Sequence, residues 1–326
     1  MKTVEEIFSA FQKKKVLVIG DVMIDSYIFG TKSSTDDFPI INTKRKEKRL
    51  GGAANVALNI QALGAIPILC SVVGDDHDGQ TFEWLLDQQG MTSRGIIRSQ
   101  NRKTTNKLRI LAGSQKMIRV DTEDTHHLED LDRKSLLNHI RDLTRECDLI
   151  IFEDYDKGTI NAEIISETIG IAKSQNIPVA ADPREQNFLS YEGVSIFKPS
   201  ITELEEFLDL KINVLNKDSL ADAVSLLKDK IHADNYIISL DSGDIFYHSK
   251  ELTELLPSYQ TGISDMSGVG NTIISIAGLG LSIGLPARVI AQLSNIAKGI
   301  VSKYTGVVPV TKDQLIKEIQ DNQILN

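Results

Sequence analysis

Three observations in the amino-acid sequence predict an α/β fold: a doubly wound, mostly parallel sheet flanked by helices, with a small β-sheet lid. Short β-rich runs alternate with helical patterns almost throughout. The carboxyl ends of those runs carry polar residues, where sheets of this kind bind ligands. Two segments, about 26–50 and 104–121, break the alternation and form the expected lid.

The start, MKTVEEIFSAFQKKK, lacks the apolar core of a signal peptide, and Val4, Ile7, Phe8 and Phe11 recur at helical spacing, giving a short docking helix. VLVIG (16–20) reads as a buried parallel strand and GGAANVALNIQALGA (51–65) as a helix. IPILCSVVG (66–74) is a further strand that buries Cys70 as a core thiol, followed by the helix DGQTFEWLLDQQG. The lid segment TTNKLRILAGSQKMIRVDTED (104–124) holds two strand-like runs around Ala112-Gly113-Ser114, a hairpin pattern. Then follow DLIIFED (148–154), the helix AEIISETIGIAKSQN, IPVAAD (177–182), VSIFKPS (194–200) and NYIISLD (235–241), with helices filling the last quarter. With no repeat or Pro/Gly linker, the chain is expected to form one domain, residues 1–326, with the lid as an insertion.

Composition narrows the function classes. The chain has 326 residues, 41% hydrophobic and 25% charged, with a formal net charge of -9. That charge argues against a nucleic-acid partner, which needs a basic stripe. The run KRKEKR (44–49) reads as a lysine-rich edge strand that resists sheet-to-sheet association. Two cysteines far apart suggest no disulfide framework, and the histidines, including His126-His127, show no metal-ligand spacing. No apolar run is long enough to cross a bilayer, so no membrane partner and a cytoplasmic location are expected.

The polar residues at strand ends include Asp21, Asp25, Asp75, Asp76, Asp154, Asp182 and Lys198. Singly, each could cap a helix or form a turn; a row at equivalent ends favours a site if the topology brings them together. Gly51 and Gly52 before a helix either permit a turn or allow close backbone approach to a small polar ligand, with Asn55 presenting an amide. The stretch SDMSGVGNTI (264–273) is more specific. Gly268 and Gly270 let consecutive N–H groups point one way at a helix start, a nest for a transferred phosphoryl group. It can equally be a glycine turn with Asn271 as helix cap.

With these residues in place, the chain resembles the ribokinase/PfkB-type carbohydrate kinases, most closely their heptose-7-phosphate 1-kinase branch, from about Lys15 to the last helix. The resemblance is carried by VLVIGDVMIDSY, GGAANVALNIQALGA, TTNKLRILAGSQKMIRVD, DYDKG, ADP and DMSGVGNT. It implies a ribokinase-like fold, ATP and Mg²⁺ as donor and cofactor, a sugar or sugar phosphate as ligand, and a homodimer through the lid. That branch often carries a fused nucleotidyltransferase; with the kinase part alone here, no second activity is expected. By match to the family motifs, Asp21, Gly51, Gly52 and Asn55 hold the sugar, and Gly268, Val269 and Gly270 match the anion hole. Glu203 falls on the acidic position linked to magnesium. Asn295 and the loop SLDSGD, with Ser239, Asp241 and Gly243, fall on the nucleotide side. Lys107, Arg109 and Arg119 on the lid are read, from charge and position, either as reaching a substrate phosphate or as solvated lid residues.

The departures from the family cluster around the chemistry. Asn271 stands where the family has the aspartate that takes the acceptor hydroxyl's proton. The family's Asn-x-x-Glu appears as Ser200-Ile201-Thr202-Glu203, Asp244 stands near a usual glycine, where it would repel a triphosphate, and SSTDDFP lacks the arginine and spacing of the heptose branch. A carboxamide is not basic at neutral pH, and losing a positioned base typically removes about 10² to 10⁴ in rate. Asp265 lies in a different part of the turn and is a poor substitute. Two functions stay open: a sugar or sugar-phosphate kinase with impaired catalysis, or a non-catalytic protein of kinase fold that binds a sugar phosphate or pairs with an active, paralogous kinase.

Overall fold

Helix α1 (Val4–Phe11) opens the chain with Ile7, Phe8 and Phe11 buried, and a capping box between Thr3 and Glu6 starts it. Each of those side chains contributes about 1.5–3 kcal/mol by leaving water. The computed structural model describes residues 3–33, 40–259, 268–304 and 306–321. There follow β1 (Lys15–Gly20), β2 (Val22–Ser33), β3 (Ile40–Gly52), α2 (Ala53–Ala62), β4 (Ile66–Gly74), α3 (His77–Gln88) and β5 (Gly95–Ser99). The middle of the chain gives β6 (Asn106–Ala112), β7 (Gln115–Thr122), α4 (Asp130–Thr144), β8 (Leu149–Glu153), α5 (Ala162–Ser174), β9 (Val179–Asp182) and β10 (Ile196–Phe197). The last part holds α6 (Ile201–Leu208), α7 (Lys217–Ile231), β11 (Asn235–Ser239), β12 (Ile245–Ser249), β13 (Thr253–Leu256), α8 (Val269–Ser282), α9 (Ala287–Val301) and α10 (Lys312–Asp321).

Among the described residues the main sheet has nine strands in the order β13-β12-β11-β10-β9-β8-β1-β4-β5. All pairs are parallel except those that add β12 and β13. The antiparallel edge is a finding the sequence reading lacks: Ile245–Leu256 alternates weakly, and only pairing with β11 makes it a sheet. Strand residues divide by parity between two cores. Val16 and Val18 pack with α1, α2, α8, α9 and α10, whereas Leu17 and Ile19 pack with α4, α5, α6 and α7. Order reverses at β1, which lies between β8 and β4, and the crevice beyond its carboxyl end is the place where ligands bind in such sheets.

A second sheet, β3-β2-β6-β7, stands off the first. Its strands begin at Val22 and end at Gly52, so the lid grows directly out of β1 and runs directly into α2, a wider span than residues 26–50. β6 and β7 pair antiparallel across Gly113, whose φ is 61°. KRKEKR lies on the edge strand β3. The segment 34–39, which holds most of SSTDDFP, lies outside the described residues, as does Asp265.

Candidate active site

The described part of the glycine-rich turn begins at Gly268, which caps α8 in the left-handed conformation (φ 78°). Val269 and Gly270 follow as the first helical residues, where N–H groups lack intrahelical partners and the dipole favours an anion. A side chain at Gly270 would meet Asp182 and Lys198, each 3.3 Å from its Cβ position. The missing Cβ thus brings the Lys198 ammonium, paired with Asp182 at 2.8 Å, against the first turn of α8. Lys198 marks the end of β10 in the sequence; its placement beside the cradle depends on the sheet order.

Asn271 is not the cap of α8 but its third residue, and it is buried. Its amide bridges the two halves of the crevice. Nδ2 donates to the Gly52 carbonyl at 3.4 Å, and Oδ1 accepts from the Tyr155 hydroxyl at 3.3 Å. The cradle and the Gly51-Gly52 turn therefore converge on this side chain. Beneath it sits a buried acidic group that motif reading missed. Burial, and then the neighbouring Asp182 carboxylate, pushes Glu153 well above the usual carboxylate range, and its Oε2 has no partner among the described residues. Burial also raises Asp182 despite the Lys198 cation.

On the side where the family resemblance places the sugar, Asp21 is buried and accepts three backbone N–H groups, from Tyr155 (2.9 Å), Lys157 (3.1 Å) and Thr159 (3.0 Å). It organises the DYDKG loop. Gly52 has φ 61°, and a side chain there would fall 2.2 Å from the Asp21 carbonyl, so only glycine turns β3 into α2 at this contact. At Gly51 a Cβ would lie 2.6 Å from the Asp25 carboxylate. Asn55 lines a cavity of about 270 Å³ with Asp25, Tyr27, Lys48 and Arg49. A neighbouring cavity of about 500 Å³ shares Asp25, Tyr27 and Val307 and adds Arg109 and Arg119.

The two cavities meet at a charged face of the lid. Arg109 pairs with Asp25 at 2.5 Å, and the Arg49 and Arg109 guanidiniums stand 5.0 and 5.4 Å from the Tyr27 ring centroid. Arg119 reaches Asp121 at 3.0 Å and is largely exposed. Lys107 does not reach the cavities: Asp121 and Glu123 hold its ammonium at 3.3 and 3.1 Å. Arg49 and Lys48 are functional candidates hidden inside KRKEKR. Their signal is the strand register, which sets Arg49 opposite Asp25. Asp76, by contrast, caps α3 and accepts from Thr104, so it is structural; although burial opposes it, those bonds hold its carboxyl below the usual value.

The metal and nucleotide assignments meet a different fit. Glu203 closes a capping box with Ser200 and pairs with Arg184. Among the described residues no group of three or more His, Cys, Asp or Glu side chains is arranged to hold a metal ion. Asp182 is paired with Lys198, and Glu203 with Arg184 and the Ser200 N–H, so these acids do not fit a protein-built magnesium site. Ser239 ends β11, and Asp241 and Gly243 (φ 88°) form the turn to β12. Asp244 does not face the crevice as a lone repelling charge. Its carboxylate accepts from the Ser258 N–H at 2.7 Å and the Ser242 hydroxyl at 2.9 Å. Asn295, on α9, donates to the Pro257 carbonyl at 2.8 Å.

Comparison with known proteins places the chain in a family. The family described as pfkB family carbohydrate kinase matches residues 13–311. The chain belongs to the pfkB family of carbohydrate kinases. This pfkB-family chain is 32% identical over 319 residues to the bifunctional protein HldE of Wolinella succinogenes, covering 97% of the chain and 67% of that relative. It is 33% identical over 291 residues to the HldE of a Helicobacter pylori strain, covering 88% and 63%. The chain thus spans about two thirds of the length of the curated relatives it matches. The ribokinase-like fold is shared with phosphofructokinase-2 from Escherichia coli in complex with potassium, at a TM-score of 0.79 and 14% identity over 95% of this chain and 99% of that one. It is shared too with Arabidopsis thaliana ribokinase complexed with ribose and ATP, at a TM-score of 0.71 and 16% identity over 94% and 99%.

Proposed function

We propose that this pfkB-family chain binds a phosphorylated sugar, of the heptose phosphate class, between the lid and the Gly51-Gly52 turn, and that its phosphoryl transfer from ATP is weak or absent. The observation that carries the second half is Asn271. Its buried carboxamide occupies the junction of the cradle and the sugar turn, where an incoming alcohol must lose its proton. No acid among the described residues replaces it. Asp182 is tied to Lys198, and burial beside Asp182 raises Glu153 well above the usual carboxylate range. Positioning and charge stabilisation remain available from the α8 amides and Lys198, which is why slow turnover is compatible with the site.

The sugar side supports the first half. Two adjoining cavities are lined by Asn55, Asp25 and an aromatic ring flanked by two guanidiniums, groups that suit hydroxyls and a phosphate. ATP is the donor implied by family membership. Magnesium would have to come without a ready protein cage, and no step is assigned to it.

The test pairs binding with turnover. A panel of hexose and heptose phosphates is screened by thermal shift and calorimetry, and each is then assayed for ATP-dependent phosphorylation. Stabilisation by a sugar phosphate with turnover at least about 10² below that of an Asn271→Asp variant supports the impaired kinase. Binding with silence in both proteins assigns a binding role alone. Absence of binding by any phosphorylated sugar removes the proposal.

A further inference from the structure

Lys298 has no place in the chemistry described above, yet it is among the most deeply buried charged side chains of the molecule, at 2% exposure. It lies on α9 one turn after Asn295, so both project from one side of the helix. Among the described residues its ammonium makes no ion pair with a carboxylate. Instead it donates to two backbone carbonyls, of Gly243 and, at 3.2 Å, of Asp244. Those carbonyls belong to the turn between β11 and β12. The adjoining contacts tie the same parts together: Asn295 holds the Pro257 carbonyl, and Asp244 holds the Ser258 N–H. The turn, residues 257–258 and α9 are thus joined through polar groups on the nucleotide side of the crevice.

A buried cation is costly unless its surroundings compensate, so its position is informative. Burial pulls the Lys298 ammonium down to about 8, partly offset by Asp244, while the Lys198 cation adds to the depression. A lysine meant to grip a polyphosphate would be expected to keep its donors toward the opening. Here two of its three donors are spent on carbonyls, and the stem occupies the space between the turn and the helix.

We propose that Lys298 is a tethered occupant of the nucleotide side: its ammonium pins the 240–244 turn to α9, and a nucleotide enters only by displacing it. The inference rests on the reading that Ser239, Asp241, Gly243 and Asn295 mark where a nucleotide would sit, and it deepens the case for weak catalysis. Asn271 removes the base, and Lys298 independently restrains the donor. The restraint is a property of this chain's own side chain, so substitution relieves it.

The experiment is a calorimetric titration of the full-length chain with Mg·ATP, comparing the native protein with Lys298→Ala and Lys298→Met, each shown to be folded by its melting transition. Lys298→Ala is expected to bind Mg·ATP about tenfold or more tightly than the native chain. Lys298→Met, which loses the pin and keeps most of the volume, gives a smaller gain in the same direction. Native binding already as tight as that of Lys298→Ala overturns the proposal, as does weaker binding in both variants, the result for a phosphate-gripping lysine. Parallel titration with a heptose 7-phosphate separates the two readings. Unchanged sugar-phosphate binding with no gain for nucleotide sinks the latch alone. Absence of sugar-phosphate binding in native and variant proteins counts against the proposed function and leaves the nucleotide comparison to decide the latch.

Discussion

At the scale of residues, Asn271 is fitted to its place rather than merely substituted there. Its Nδ2 faces a carbonyl oxygen and its Oδ1 faces a hydroxyl, so each end of the amide meets its complement. An aspartate would set a carboxylate oxygen 3.4 Å from the Gly52 carbonyl unless it turned away. Asn271→Asp is therefore expected to cost about 1 kcal/mol of stability near neutral pH, read from denaturant unfolding. An unchanged midpoint would mean that the carboxylate rotates freely toward the helix amides. The Asp182–Lys198 pair makes a sharper case. Both members are nearly buried, so Lys198→Met should destabilise the chain by about 3 kcal/mol at pH 7.5, and less at a lower pH, because burial raises Asp182 and a neutral acid needs no cation beside it. Equal losses at both pH values would contradict the pairing. The motif residues were readable from the sequence because glycine and amide placements at a strand-to-helix turn have few uses. Glu153, Tyr155 and Lys298 were not, because their meaning comes from what lies across the sheet.

At the scale of elements, the proposed ligand recognition rests on the lid. Its four strands alternate in character. Asp25, Tyr27 and Arg109 share one face and line the cavities; Ile28, Leu108 and Val120 fall on the other, while Ile110 and Ile118, at the irregularity in the β6–β7 pairing, also border the larger cavity. Period-two alternation made strands legible, and the hairpin turn at Gly113 fixed the register of β6 and β7. Composition alone could not say which cations face the ligand. Lys107 and Arg109 lie on one face two residues apart, yet Glu123 and Asp121 take the first and leave the second at the cavity. Arg109→Ala is thus predicted to weaken sugar-phosphate binding by tenfold or more, about 1.4 kcal/mol, whereas Lys107→Ala changes it less than threefold. Calorimetry on the two variants checks this, and the reverse ranking would mean that the lid rearranges on binding.

For the molecule as a whole, the cluster of acids beneath the crevice sets the pH response. Burial, with the nearby Asp21 charge, raises Asp154 from 3.8 to about 6 even though Asn187 and Tyr191 hydrogen-bond to it. A carboxyl whose folded value is raised stabilises the fold fully below its unfolded value, and that contribution is lost as pH rises through the folded one. Melting temperature should accordingly fall between pH 5 and pH 7, with Asp154 accounting for about 1 kcal/mol of the change over that window; Asp154→Asn should flatten the slope. A melting temperature that rises steadily over this range would show that Asp154 is ionised without penalty. Pairing through the lid, the expectation drawn from the family resemblance, would bury apolar side chains that stand exposed there, Ile118 at 57% and Val120 at 46%. An Ile118→Lys variant that stays at the native mass by light scattering would remove that assignment.

The chain's doubly wound architecture follows from patterns spread over many residues, whereas the proposed loss of phosphoryl transfer turns on one side chain. The most direct measurement is steady-state phosphoryl transfer from Mg·ATP to whichever sugar phosphate binds, at saturating concentrations, for the native protein and for the Asn271→Asp/Lys298→Ala double variant. The predicted result is turnover in the double variant exceeding native turnover by about 10² or more. Measurable native turnover equal to that of the double variant would show that the alcohol loses its proton without a carboxylate at residue 271, and would contradict the account.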